Sequence, residues 1–144
     1  MKKTILLLAV AFIAFTANAQ KTKEVNVPAI VKVAFAKKYP NTTVYKWEME
    51  MGNYEAEFKS GSTEMSVLIN GNGTIVLTET EMKATDLMPE ITKYCAEKYA
   101  GKAIKEGSKL VDAKGGVTYE AEVNGMDVIF DAAGKFVKEE KSND

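Results

Sequence analysis

The sequence predicts an α+β fold: an antiparallel sheet of about eight strands with two helices packed on one of its faces. Three observations predict it. Two short segments place apolar residues at the helical period, each is followed by segments that alternate with period two, and the whole order is written twice along the chain.

The repeat organises everything else. Tyr54-Glu55-Ala56-Glu57 recurs as Tyr119-Glu120-Ala121-Glu122, Lys38-Tyr39 recurs as Lys98-Tyr99, and Ile69-Asn70-Gly71-Asn72-Gly73 is echoed by Phe130-Asp131-Ala132-Ala133-Gly134. The order is the same in both copies, 26–82 and 86–141, and the small differences in spacing mark loop insertions between matching elements.

Each copy opens with a helix about three turns long. Val27, Ile30, Val31, Ala34 and Phe35 line one face of the first, and Leu87, Ile91, Tyr94, Cys95 and Tyr99 line one face of the second. Asn26 and Asp86 are placed to cap the first turns, with Pro28 and Pro89 close behind, where a missing N–H costs nothing. Pro40 stops the first helix and Gly101 the second.

The strands follow by alternation. Tyr45, Trp47, Met49 and Met51 are expected on the core face, opposite Lys46 and Glu48; beyond a turn at Gly52-Asn53, Tyr54, Ala56 and Phe58 alternate with Glu55, Glu57 and Lys59. Met65, Val67 and Ile69 form a third strand, and Ile75 and Leu77 a fourth. The second copy repeats the pattern through Tyr119, Ala121 and Val123, an Asn124-Gly125 hairpin turn, Met126, Val128 and Phe130, a turn at 131–134, and Phe136. Its first strand, near 103–111, contains Gly107, which predicts a bulge or a shortened strand there.

Residues 82–85, which join the copies, hold no Gly or Pro and are too short for a flexible tether. The copies are therefore expected to share sheet edges and a core as a single unit over 20–144, with the second sheet face open to solvent.

The first nineteen residues read as a secretory signal peptide: Lys2 and Lys3, an apolar run over 5–15, and Ala17-Asn18-Ala19. The run is shorter than the roughly 20 residues needed to span a bilayer. Cleavage after Ala19 would leave 125 of the 144 residues beginning at Gln20, which is no acceptor for a lipid anchor. A periplasmic or secreted location follows. Without Lys2 and Lys3, 17 basic residues face 20 acidic ones, a net charge of −3. That balance does not suit a nucleic-acid partner.

Residue types narrow the chemistry. There is no histidine, and all 19 basic residues are lysine. Neither a Ser-His-Asp or Cys-His arrangement nor a His-ligated metal site can be built, and no arginine can clamp a phosphate or carboxylate. Cys95 is the only cysteine, so no internal disulfide forms; as the counterpart of Phe35 it is expected to be a buried structural thiol. Met49, Met51, Met65 and Met126 are expected to pack rather than bind a soft metal. No catalytic residue, metal site or cofactor is expected.

The remaining candidate is the charged sheet face. Glu48, Glu55, Glu57, Glu120, Glu122 and Asp127, interleaved with Lys46 and Lys59, should project away from the helices, either as a solvated face or as a partner-binding surface. Two other readings stand beside a binding module. One is a small-ligand or cation-binding protein using carboxylates such as Asp127 and Asp131; the other, remote, is a carboxylate-dependent hydrolase.

The twice-written order of helix, Tyr-Glu-Ala-Glu strand, Asn/Asp turn with glycine and closing strand, behind a signal peptide, resembles the PepSY-like domains grouped with β-lactamase inhibitor protein. The resemblance covers residues 26 to 141. It implies a secreted tandem-repeat module whose concave sheet face binds another envelope or extracellular protein or peptide, and relatives proposed to restrain envelope peptidases. No inhibitory loop residue aligns onto this chain, so no inhibitory role is carried over.

Overall fold

The computed structural model describes residues 25–142. The predicted leader and its cleavage site lie outside them. In chain order the elements are α1 (Ala29–Lys38), β1 (Val44–Glu50), β2 (Asn53–Ser60), β3 (Thr63–Ile69), β4 (Ile75–Met82), a 3₁₀ turn (Ala84–Asp86), α2 (Pro89–Lys98), β5 (Ile104–Asp112), β6 (Val117–Val123), β7 (Met126–Asp131) and β8 (Phe136–Lys141). All eight strands form one antiparallel meander in sequence order.

The helices start differently from expectation. Neither Asn26 nor Asp86 caps its helix; the N-cap positions are Pro28 and Met88, without side-chain hydrogen bonds. Their carbonyls accept the first helical N–H groups, from Val31 and Lys32 and from Ile91 and Thr92. The chain enters each helix extended, and this buries Val27 and Leu87 just before the first turn. Apolar burial of those two side chains sets the entry angle where a polar cap was expected.

The repeat is legible in the core residue by residue. Val27, Val31, Phe35, Ala56, Phe58, Val67 and Ile69 form one buried cluster under α1, and Leu87, Ile91, Cys95, Ala121, Val123, Val128 and Phe130 form its counterpart under α2. Bulk is redistributed between them. In the first, Phe35 and Phe58 meet edge to face with centroids 5.0 Å apart; in the second, Cys95 and Val123 take those places and Phe130 meets Tyr94 at 5.4 Å. Cys95 is buried as expected, and burial pushes its thiol pKa up, away from reactivity.

The copies do not share a helix-side core. They meet through the pairing of β4 with β5, from Leu77↔Asp112 to Met82↔Gly107, and through Met82, which packs against the second cluster. Gly107 does not shorten its strand, since β5 runs for nine residues. The irregularity falls between Ile104 and Glu106. The glycine is needed because a Cβ there would sit 2.9 Å from the Leu87 side chain. Close approach of the entry to α2 explains the glycine, while the expected irregularity of this strand lies earlier in it, between Ile104 and Glu106.

Register shifts occur at matching places in the two copies: Val44/Lys46 with Ile104/Glu106, and Leu68/Ile69 with Ile129/Phe130. Bulges bend and twist a sheet. The first of them also corrects the reading of β1. It turns Val44 into the core and Tyr45 out of it, leaving Tyr45 54% exposed, while Trp47 still packs edge to face on Phe35. Met49 and Met51 are also exposed rather than packed, because β1 is an edge strand and Met51 sits in the following turn with φ 48°. Met65 and Met126 pack against the two clusters.

Candidate functional site: the helix-free sheet face

Both helices lie on one side of the sheet, and among the described residues no element covers the other. Alternation and register place a carboxylate on that side from every strand: Glu48 on β1, Glu55 and Glu57 on β2, Glu64 on β3, Glu79 and Glu81 on β4, Glu106 on β5, Glu120 and Glu122 on β6, Asp127 on β7 and Glu140 on β8. Lysine reaches it from Lys46, Lys59, Lys105 and Lys138.

The sequence-predicted residues therefore share one face, but they do not stand open to solvent. Glu55 is 4% exposed, and Glu120, Glu122 and Asp127 are also buried, as are Glu50 and Glu79. Only Lys59 of the named set is well exposed, and Lys46, Glu48 and Glu57 are partly covered. Burial without a covering layer comes with the cross-strand neighbours: Glu55 stands opposite Leu68, Glu120 opposite Ser108 and Ile129, and Glu122 opposite Asp127. Leu68, Leu77 and Leu110, buried together on this same face, form its floor where the two copies join.

Ion pairs compensate part of the carboxylate density. Lys46 donates to Glu48 at 2.5 Å and to Glu57 at 2.8 Å, Lys59 pairs with Glu64 at 2.9 Å, and Lys105 donates to Glu122 at 2.8 Å. Burial pulls the Lys46 pKa down, but its two carboxylate partners together push it up. Oxygens of Glu48, Glu55 and Glu57 lie within 4.8 Å of one another, close enough to hold a cation. The Lys46 ammonium already bonds two of them. Asp131, considered beside Asp127 for a cation, instead accepts the backbone N–H groups of Ala133 and Lys135 and closes its turn.

Glu55 is strongly perturbed. Burial pushes its pKa up to about 7; Glu57, Glu79 and Glu48 push the same way, and the Ser66 hydroxyl opposes them. The sign of the consequence is fixed. Between about 4.5 and 7 the folded state holds a proton that the unfolded chain has released, so stability from this group is fully present below that window and lost as pH rises through it. The loss is up to about 3 kcal/mol. Glu55→Gln is expected to gain stability over the native chain at pH 8 but not at pH 4.5, in urea denaturation at both pH values. A constant difference would remove Glu55 as the source.

Glu55, Glu57, Glu64, Glu79 and Glu81 surround a small pit of about 20 Å³, with Tyr45 at its side and Ser66 among its lining. Residues Glu64 and Glu81 also line an open trough of about 560 Å³ that runs past Met82, Lys83 and Asp86 to Lys105 and Glu106. Sequence reasoning missed Tyr45, Glu64, Glu79 and Glu81 as members of the site. Alternation hid two of them: continued from Ile75 it puts Leu77, Glu79 and Glu81 on the helix side, and the register shift opposite Leu68 and Ile69 turns all three to the other face.

No family model matches the chain, and no curated protein does. Solved structures do. A candidate periplasmic protein from Bacteroides eggerthii superposes with TM-score 0.72 at 15% identity, covering 80% of this chain and 88% of that one. A DUF2874 family protein from Bacteroides uniformis gives 0.71 at 20% identity over 79% and 88% of the two chains. A BLIP-like protein from Bacteroides fragilis gives 0.67 at 23% identity over 81% and 87%. The two-helix, eight-strand fold of this chain is thus the fold of BLIP-like and DUF2874 family proteins.

Proposed function

We propose that this chain is an exported, non-catalytic binding module that takes another envelope or extracellular protein or peptide on its helix-free sheet face, as an inhibitor or regulator of an envelope enzyme such as a peptidase would. The observation that carries this reading is the face itself: a sheet surface from eight strands, rich in carboxylates and left without a covering layer among the described residues. The leader read from residues 1–19, the PepSY-like motif order and the fold shared with a BLIP-like protein and a candidate periplasmic protein all support it.

The test is capture from an envelope extract alongside melting temperature. Glu48→Lys combined with Glu81→Lys is expected to cut capture at least about tenfold with little change in melting temperature, because both side chains are partly exposed. Glu90→Lys with Glu97→Lys on α2 is expected to leave capture intact. Equal capture by both pairs would refute the sheet face as the binding surface.

A further inference from the structure

Resting on that reading, we infer that the partner presents a basic, lysine-bearing segment, which lies along the acidic trough and seats one lysine ammonium in the pit beside Tyr45. Three features of the face converge on this occupant.

The first is size. A space of about 20 Å³ takes one water-sized group. A lysine ammonium is that size and a planar guanidinium is not. The second is chemistry. The pit is walled by carboxylates from β2, β3 and β4, and an ammonium offers three donors to them. Tyr45, exposed through the β1 bulge, brings an aromatic ring to the same space, where a cation is attracted to the ring face. The third is continuity. Glu64 and Glu81 belong to both pit and trough, and the open trough of about 560 Å³ is lined further on by Asp86 and Glu106, carboxylates for the neighbouring cations of an extended chain. Lys83 and Lys105 also line the trough, so attraction along it is modest and the pit supplies the specific contact.

The probe is an acetylated, amidated decalysine peptide, titrated into the ¹⁵N-labelled mature chain, with decaarginine and a neutral Gly-Ser peptide of equal length as comparators. Saturable shifts at Tyr45, Ser66, Glu79 and Glu81 are expected with decalysine. Decaarginine should bind at least about threefold more weakly despite equal charge. Raising salt from 50 to 300 mM should weaken decalysine about tenfold. Glu64→Gln with Glu81→Gln should weaken it about tenfold, and Tyr45→Ala about threefold, both at partly or well exposed positions that leave the fold in place. Glu90→Gln with Glu97→Gln on α2 should change nothing. Shifts spread over the helices, equal binding of the two cationic peptides, or indifference to the pit variants would each overturn the inference. If decalysine fails in this way while Glu48→Lys with Glu81→Lys still abolishes capture from extract, the lysine inference falls and the sheet-face reading stands.

Discussion

Phe58→Ala is expected to lower the stability of the chain by about 3–5 kcal/mol. Phe58 is fully buried at the centre of the α1 cluster, where its ring meets Phe35 at 5.0 Å and Tyr39 at 4.6 Å. Removing it opens a cavity between helix and sheet and deletes both aromatic pairs. Phe130→Ala should cost a similar amount under α2, where Phe130 is equally buried against Tyr94 and Phe136. Tyr54 and Tyr119, which the alternation alone marks as core, are only partly buried, so their alanine variants should cost less. Urea denaturation of the four variants checks the order; a tyrosine variant less stable than both phenylalanine variants would contradict it.

The second large effect is expected from dividing the chain. A protein of residues 20–84 keeps α1 and its cluster but leaves β4 without β5 and uncovers Leu68 and Leu77 where Leu110 should pack. An unpaired edge next to exposed leucines is not a stable end for a small sheet. The whole cooperative transition of the mature chain should therefore disappear from this half. A sharp, independent thermal transition in it would show that the separate helix-side clusters are each sufficient, and that the β4–β5 seam joins two self-standing units.

Much of this architecture was legible because it rests on local periodicity. The helices, all eight strands, the Asn124-Gly125 turn and the matched positions Phe35 and Cys95 follow from spacing alone. What spacing does not encode is where a strand's register shifts or what stands opposite it. The shift between Val44 and Lys46 moves Tyr45 from the expected core to the pit, and Glu55, Glu120, Glu122 and Asp127 are buried beside their cross-strand neighbours where alternation alone places them in water. The caps were misread for a related reason. Asn26 and Asp86 are good capping types, but burial of Val27 and Leu87 decides where each helix begins. Membership of the face was thus readable for the eight named residues, whereas their environment was not, because it depends on contacts between neighbouring strands of each copy rather than on any one strand.

On the proposed function, this chain meets its partner through the sheet face and not through its helices. Site-specific photocross-linking in the envelope addresses it directly, with benzoylphenylalanine placed singly at positions 48 and 81 on the sheet face, and at positions 33 and 97 on the outer surfaces of α1 and α2. Cross-links to one partner from positions 48 and 81, and none to it from 33 and 97, are the predicted result. Cross-links to that partner from the helix positions alone would contradict the account.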